Sequence, residues 1–303
     1  MAFHANRISL PQAADSGSRE VLFRESLAET AERWALGTAW ALMPQRIAGV
    51  PSLARMWFSE ALCPNYALPD PERTLDNPLG LAGIAHELSL PTLLSAHRRG
   101  LFPFAHIGPQ KWWSPPVRSV LFFNELHVAK RLRRQMRQGQ YTVTFDRDFD
   151  AVIKACAGNR SGRWHVTWIT PKIMHAYAAA FDAGHAHSFE VWNEKGELAG
   201  GGYGVAVGNS FVTESQFSRE PNTSKIGFTV LNWHLANWGF AFNDGKDLTP
   251  TTRDMGFREI PRRDFLNRLT TAVKTPGRIG RWQVEADMAK VADWQPQENK
   301  PAA

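Results

Sequence analysis

Residues 200–218, GGGYGVAVGNSFVTESQFS, contain five glycines, two apolar runs and one carboxylate, Glu214. The runs LAGGGYGVAV and FVTESQF alternate as strands do and are joined by the turn GN, while the turn NEKGE connects them to a third run, HSFEVW. Three alternating runs joined by tight turns predict an antiparallel meander. A carboxylate inside a segment otherwise typical of a buried hairpin requires a charged partner or a functional role.

The glycines of this stretch do not form a dinucleotide-binding motif. Gly202 and Gly204 match the first two glycines of that fingerprint, but Val207 stands where the third is required, and the stretch lies within a strand. The sequence also lacks a Walker phosphate-binding motif and a nucleophile elbow. These absences disfavour nucleotide-dependent enzymes and serine hydrolases.

Histidines near the meander are a weak indication of a metal site. His185, His187 and Glu190 alternate along a strand as ligands can, but no fourth ligand or second His/Cys pair follows. Hydrogen-bonded or core histidines are therefore favoured, and we expect no metal.

Helical segments surround the meander. Two of them begin at a capping Ser or Thr, and YTVTFD alternates as a further strand. The order of elements predicts one α/β or α+β body from about residue 75 to residue 270. Four segments have helical patterns that end at a glycine: SLPTLLSAHRRG, DFDAVIKACAG, TPKIMHAYAAAFDAG and SKIGFTVLNWHLANWG.

The N-terminal part precedes this body. Residues 20–43 carry apolar side chains at helical spacing from Phe23 to Trp34 and stop at Pro44, which predicts one helix. We interpret it as packed on the main body, with a docking or membrane-surface helix as the alternative. Residues 63–80 contain four prolines and no periodicity, which is typical of a linker.

Composition limits the class of protein. The chain has 303 residues, of which 43% are hydrophobic, so it can form a substantial core. Its two cysteines fit neither a disulfide framework nor a metal site, and we see no export signal and no transmembrane segment, so we expect a cytoplasmic protein. The net charge of +6 favours an anionic partner.

The segment HVAKRLRRQMRQ is the strongest candidate for contact with that partner. Its cations lie within two helical turns, mostly on one side, which suits a phosphate backbone, although a solvated helix is the alternative. Trp112, Trp113 and Trp168 lie in polar, Gly- and Pro-flanked contexts where a ring can stack on a base, although each is otherwise a core residue. The four cations are Lys130, Arg133, Arg134 and Arg137.

Taken in order, these motifs resemble the leucyl/phenylalanyl-tRNA–protein transferases between about residues 77 and 269. The resemblance implies a small N-terminal domain and a GNAT-like catalytic domain that transfers an amino acid from charged tRNA to proteins beginning with Arg or Lys, which marks them for degradation. It predicts four segments along the chain: an extension and linker (1–73), a small domain (74–140), a catalytic domain (141–270) and a C-terminal tail (271–303). We also expect the protein to be a monomer. The motifs are RRGLFPF, WWSPPVRSVL, FDAVIKACA, TWIT, GHAHSFEVW, LAGGGYGVAVG, FVTESQFS, NTSKIG and REIPRRDFL.

The resemblance also implies the catalytic residues. Glu214 matches the active-site glutamate of the family, and Asp244 matches an aspartate thought to orient a glutamine two positions on. Here Lys246 replaces that glutamine. Burial would lower the pKa of Lys246 and allow it to act as a base. Pairing with Asp244 would instead keep the lysine charged, so that it could donate a hydrogen bond to the oxyanion. In a third possibility, ribose hydroxyls of the tRNA carry the proton of the attacking amine. An activated ester needs positioning, proton removal and oxyanion stabilisation but no cofactor.

Substrate-binding residues follow in the same way. Trp168 is expected to stack near the terminal adenosine, with Phe104 where the family usually has a second tryptophan, and Asn222 and Ser224 of NTSKIG are expected to bind substrate. Methionines are typical of the family at the positions of Gly202 and Gln216. We expect the glycine to enlarge the pocket and Phe228 to refill part of it, which favours a larger or more polar donor than Leu or Phe. Repacking that preserves Leu/Phe transfer is the alternative.

Two other functions remain open at this point. One is a related amide-forming transferase that acts on a peptide or a small amine. The other is a catalytically silent relative that binds charged tRNA.

Overall fold

A computed structural model describes residues 16–158 and 167–296. In these ranges the helices are α1 (Ser16–Leu22), α2 (Leu27–Ala41), α3 (Pro44–Ile47), α4 (Val50–Leu62), α5 (Leu90–Arg98), α6 (Lys130–Arg137), α7 (Phe149–Ala157), α8 (Pro171–Asp182), α9 (Thr223–Asn237), α10 (Pro250–Asp254), α11 (Arg262–Ala272) and α12 (Met288–Ala292), with a 3-10 turn at Phe123–Glu125. The strands are β1 (Leu81–Ile84), β2 (Phe102–Pro103), β3 (Lys111–Trp113), β4 (Val117–Leu121), β5 (Tyr141–Phe145), β6 (Ala186–Asn193), β7 (Leu198–Val207), β8 (Ser210–Ser218), β9 (Phe242–Lys246) and β10 (Arg258–Pro261).

The strands of the described chain form two sheets. The larger has the order β10-β4-β9-β8-β7-β6-β5, and the smaller has the order β1-β3-β2. The predicted meander is confirmed, because β6, β7 and β8 pair antiparallel in sequence order. The pair β8–β9 is parallel, with α9 as the crossover between the two strands. The architecture is therefore α+β with one mixed sheet.

Helices cover both faces of the large sheet, and each face has its own apolar layer. On one face Tyr203 of β7 packs on Tyr177 of α8, with ring centroids 5.4 Å apart. On the other face Phe189 of β6 packs near Phe228 of α9, at 6.2 Å. Because successive strand residues point to opposite faces, burial on both sides explains why β7 is buried along its whole length.

The prediction of a single helix over residues 20–43 is wrong. The chain breaks after α1, and α2 begins anew because the side chain of Ser26 caps the backbone of Glu29 while that of Glu29 caps Ser26. Between the helices, Phe23 is fully buried against the ring of His175, so the predicted packing on the main body is confirmed here. The sequence analysis did not identify α3 and α4.

The domain boundaries stay a prediction, but the sheets favour a different division. Strand β4 was assigned to the small domain, yet it lies between β10 and β9 in the large sheet. Only β1, β2 and β3 form the small sheet, which favours a boundary near residue 116.

The segment after residue 270 is packed on the body over its described part. Trp282 is buried, stacks on His187 at a centroid distance of 3.5 Å and donates its backbone N–H to Asp146. Across the described ranges, none of the helices combines the length and the apolar character needed to cross a bilayer.

Candidate active site

Glu214 occupies an irregular position in β8, and this irregularity explains how a strand accommodates its carboxylate. In the ladder with β7, Tyr203 pairs with Ser215 whereas Gly204 pairs with Thr213. Glu214 is therefore the extra residue of a β-bulge, and a bulge re-aims a side chain that regular alternation would direct elsewhere.

A second bulge lies on the neighbouring strand. In the ladder between β4 and β9, Val120 pairs with Asp244 and Ser119 with Lys246, so Gly245 is the extra residue. A Cβ at Gly245 would lie 2.8 Å from the ring of Phe257, which explains the glycine. The parallel ladder between β8 and β9 ends at its pair of Val212 with Asp244. Glu214 and Lys246 therefore face each other just beyond the last paired residues.

The Glu214 carboxylate is fully buried between two basic side chains. Its Oε1 lies 2.8 Å from Nε2 of His97, and its Oε2 accepts from Nζ of Lys246 at 2.5 Å. Burial alone would raise the pKa of Glu214, but the charge of Lys246 and the hydrogen bond from His97 outweigh burial and lower it to about 2. The group is a carboxylate at neutral pH and is unsuited to act as a general base.

His97 lies in the last turn of α5 and was missed by the sequence analysis. Its Nδ1 is 2.8 Å from the carbonyl oxygen of Leu93, and its other ring nitrogen faces Glu214. Each ring nitrogen of His97 therefore faces an oxygen that can accept a hydrogen bond. The only sequence signal was a histidine on the helix of SLPTLLSAHRRG.

The side chain of Lys246 contacts Glu214 rather than Asp244, so of the alternatives left open by the sequence, a side-chain pair with Asp244 is not formed. Its Nζ donates to the Glu214 carboxylate and, at 3.3 Å, to the Glu214 carbonyl oxygen. The ammonium also lies 5.3 Å from the ring centroids of Phe102 and Trp168. Lys246 has a positive φ of 63°, which the bulge at Gly245 imposes.

Asp244 instead forms a buried pair with Arg118. Its two carboxylate oxygens accept from Nε and Nη2 of Arg118 at 2.8 and 2.7 Å, a bidentate arrangement. Oδ1 also accepts from the backbone N–H of Lys246 at 2.8 Å. Asp244 thus fixes the backbone of the residue two positions on, while the guanidinium is sandwiched between the rings of Phe102 and Phe265. The sequence analysis missed Arg118, which lies in the motif WWSPPVRSVL.

Two tyrosines complete the buried surroundings of Glu214. The rings of Tyr177 and Tyr203 are fully buried, and Tyr177 meets His97 edge-on at 6.2 Å. Burial, and after it the charge of Glu214, raise the pKa of both hydroxyls well above the ordinary value. Both phenols are therefore neutral under ordinary conditions.

Phe104 and Trp168 lie together at the edge of this cluster. Their ring centroids are 5.8 Å apart at an interplanar angle of 37°, and both side chains are half-buried. The structure therefore brings together the two aromatic residues that the sequence analysis assigned to the terminal adenosine. That role stays a prediction.

The expected enlargement of the pocket at Gly202 is wrong. A Cβ at this position would lie 2.7 Å from the carbonyl oxygen of Ser215 and 2.8 Å from both Gln216 Cγ and Phe189 Cε1. The space is thus already filled by the chain of Gln216 and by the ring of Phe189. The ring of Phe228 lies behind these groups and stacks on the ring of Phe257, with the ring centroids 5.9 Å apart.

Asn222 and Ser224 lie at the start of α9, and their role in substrate binding stays a prediction. Asn222 has a positive φ of 68° and donates through Nδ2 to Gln135 on α6. Ser224 accepts a hydrogen bond from the hydroxyl of Ser218 at 2.7 Å. These contacts fix the turn between β8 and α9.

The cations of α6 divide into two groups. Arg133 donates to the carbonyl oxygens of Ala292 and Trp294, and Arg137 pairs with Asp293, so both hold the C-terminal segment. Lys130 and Arg134 are exposed to solvent, as is Arg131 between them. Contact with tRNA stays a prediction, and these exposed cations have no ion-pair partner within the described part of the chain that would compete with a phosphate, whereas the exposed Arg137 is paired with Asp293.

Glu190 belongs to a buried cluster away from the site. It accepts hydrogen bonds from the hydroxyls of Ser188 and Thr144, and burial raises its pKa to about 7 despite these bonds. His187 lies 2.8 Å from Asp146 through Nδ1. Among residues 16–158 and 167–296, no group of three or more His, Cys, Asp or Glu side chains is arranged to hold a metal ion.

The described site thus consists of a bulged mixed sheet that holds two buried ion pairs, Lys246–Glu214 and Arg118–Asp244, beside the aromatic pair of Phe104 and Trp168. Comparison with known proteins gives the class. Residues 120–270 match the family model described as leucyl/phenylalanyl-tRNA protein transferase, and residues 86–116 match the model of its N-terminal domain.

Individual relatives agree. The leucyl/phenylalanyl-tRNA–protein transferase of Alkalilimnicola ehrlichii is 41% identical over 239 residues, which cover 78% of this chain and 92% of that protein. That of Pseudomonas syringae pv. syringae is 46% identical over 209 residues, covering 69% and 90%. The chain belongs to the leucyl/phenylalanyl-tRNA protein transferase family.

Similarity to solved structures is much weaker. The structure of L-PGS from Bacillus licheniformis gives a TM-score of 0.31 at 9% identity, covering 50% of this chain and 47% of that one. A likeness of this size carries no argument about fold or function.

Proposed function

We propose that this protein is an aminoacyltransferase that moves leucine or phenylalanine from a charged tRNA to the N-terminal amine of a protein beginning with Arg or Lys, and so marks it for degradation. Membership of the family supports the reaction. The observation that carries the proposal for this chain is the ammonium of Lys246, held 2.5 Å from the buried Glu214 carboxylate and 5.3 Å from the ring centroid of Trp168.

The reaction fixes what the site must do. The acceptor ammonium loses one proton and attacks the ester carbonyl, a C–N bond forms, the ester C–O bond breaks, and the second proton leaves the nitrogen for the ribose oxygen. Negative charge develops on the carbonyl oxygen in between. A preformed donor aimed at that oxygen accelerates such a step by about 10²–10³-fold.

Lys246 is the proposed donor. An ammonium has three N–H groups, and two of them are directed at Glu214, which leaves the third for the carbonyl oxygen of the ester. The ammonium is paired with the buried carboxylate at 2.5 Å, and in this proposal the lysine serves as a hydrogen-bond donor and not as a base.

The other buried groups act as positioning residues. His97 orients Glu214, and Glu214 in turn orients the ammonium. Asp244 holds the backbone N–H of Lys246, and Arg118 neutralises Asp244. None of these carboxylates is available as the base, so we propose that the attacking amine is deprotonated by solvent or by the ribose hydroxyls of the tRNA.

Leucine or phenylalanine is the proposed donor because the structure removes the reason to expect a larger pocket. The wall at Gly202 is closed by the ring of Phe189, which is apolar. The GNAT-like fold, the acceptor preference for Arg or Lys, the monomeric state and the cytoplasmic location remain proposals that rest on the family resemblance.

A transfer assay tests the proposed function. The full-length protein is incubated with tRNAs charged separately with Leu, Phe, Met, Trp, Tyr or Gln and with a peptide that begins with Arg, and product mass is the readout. A peptide that begins with Ala but is otherwise identical is the matched control. We expect Leu or Phe to exceed the polar donors by tenfold or more, on the Arg peptide only. Binding of charged tRNA without product would contradict an enzymatic role.

A further inference from the structure

Helix α2 lies outside residues 86–116 and 120–270, which the family models match, yet it packs directly on the loop that carries Phe104. Gly37 of α2 is buried, and a Cβ at this position would lie 3.0 Å from the carbonyl oxygen of His106 and 3.4 Å from Cβ of Ile107. Only glycine allows this approach without displacement. The close contact fixes the loop after Phe104 against the N-terminal extension.

A continuous series of ring contacts joins α2 to the site. Trp40 meets His106 edge-on at 4.4 Å, His106 meets Phe104 at 4.7 Å, and Phe104 lies 5.8 Å from Trp168. The far side of the Trp40 ring is covered by the guanidinium of Arg46, 3.5 Å from its centroid. Such edge-to-face pairs have a preferred geometry, so each ring restricts the next.

His106 also joins two loops of the site. Its ring lies close to the backbone of Thr167, the residue before Trp168. Burial lowers the pKa of His106 to about 4, so the ring is neutral at physiological pH and contributes through packing rather than as a charge. One side chain therefore lies between the loop that carries Phe104 and the loop that carries Trp168.

Helix α4 holds the other end of the loop. Gly108 has a φ of 73°, and a Cβ there would lie 2.9 Å from the ring of Trp57. Lys111 turns back into the loop and donates to the carbonyl oxygens of Ile107 and Pro109, both at 2.9 Å. The loop between β2 and β3 is thus fixed by the extension at two points.

We infer that α2, α3 and α4 form a structural part of the donor site, in which Trp40 and His106 are positioning residues for the Phe104–Trp168 platform. This inference rests on the proposed function, because the ligand of the platform is the adenosine end of a charged tRNA. A platform held in place before binding loses less conformational freedom when a base stacks on it, so the extension raises affinity for the donor.

The test compares two tryptophans of one helix. Trp40→Ala removes the ring that holds His106, whereas Trp34→Ala removes a ring that is 47% exposed and serves as the matched control. We expect Trp40→Ala to raise the KM for Leu-tRNA about tenfold while kcat stays within about threefold, because the Lys246 cluster is untouched. Trp34→Ala should change neither constant, and Trp40→Phe should restore much of the affinity because a ring edge remains.

A second readout separates this inference from the proposed function. Binding of a non-hydrolysable aminoacyl-adenosine analogue to the same three variants measures the platform directly, and Kd should rise about tenfold for Trp40→Ala only. If the wild type binds the analogue but transfers nothing, the proposed function fails. The Kd values of the variants then still test whether Trp40 positions the Phe104–Trp168 platform. Equal KM and Kd values for Trp40→Ala and the wild type, or equal losses in Trp40→Ala and Trp34→Ala, would overturn the inference.

Discussion

Substitution of Lys246 tests the proposed mechanism most directly, because two replacements separate its hydrogen-bond donor from its charge. Lys246→Gln keeps an N–H donor next to Glu214, whereas Lys246→Met keeps a similar length and removes the donor. If the lysine stabilises the oxyanion by donating to it, Lys246→Met should lose about 10²-fold in kcat or more, which equals about 3 kcal/mol. Lys246→Gln should stay within about tenfold of the wild type.

The structure also gives the expected cost to stability. The two charged atoms are 2.5 Å apart, and the side chains of Lys246 and Glu214 are 11% and 0% exposed. Removing one member of a buried pair typically costs 3–5 kcal/mol because the other charge is left uncompensated. Here His97 still donates to the second oxygen of Glu214, so we expect about 3 kcal/mol for Lys246→Met, which corresponds to a decrease of roughly 6–12 °C in Tm.

Single-turnover transfer of Leu from charged tRNA, measured from about pH 6 to pH 9 and below the Tm of each variant, gives the necessary rates. A lysine that acts as a cation predicts a pH profile for Lys246→Gln with the same ascending limb as the wild type. Two results would refute the reasoning. One is a wild-type kcat in Lys246→Met, and the other is an ascending limb that disappears in Lys246→Gln, since the lysine would then be the base.

The remaining predictions concern stability and tRNA binding. Since the pKa of Glu190 is raised to about 7, the free energy of unfolding should decrease as pH rises from about 4.5 through 7. Urea titrations at several pH values should show a flatter dependence for Glu190→Gln, and an unchanged dependence would assign it to another group. Gly245→Ala should lower both Tm and transfer, because the added methyl group meets the ring of Phe257; a variant with wild-type Tm and rate would contradict this. Reversing Lys130 and Arg134 to Glu should weaken tRNA binding and reduce its salt dependence without changing Tm, whereas an unchanged salt slope would remove α6 from the interface.

The meander could be predicted from the sequence, because the alternation of apolar residues and the turn signals are local properties. The irregularities that make the site could not. Nothing in the letters of FVTESQFS shows that Glu214 is the extra residue of a bulge, since a bulge depends on the register of two strands.

Long-range partners were missed for a related physical reason. His97 and Arg118 are separated from the carboxylates they contact by 117 and 126 positions, so no spacing rule connects them. The prediction of a cavity at Gly202 was wrong for the same reason, because the residue that fills the space is distant in the sequence. An absent side chain leaves space only if no neighbour fills it, and here Phe189 from the adjacent strand does so.

The arrangement of charges gives a physical reason why a lysine is tolerated at position 246, where the resemblance to the family implies a glutamine. A neutral amide in this place needs no counterion, but a buried ammonium does, and the bulge that directs Glu214 toward β9 supplies one at 2.5 Å. Glu214 is in turn kept ionised by His97, which α5 places opposite the same bulge. The lysine is thus compatible with the site because the charges of three separate elements offset one another.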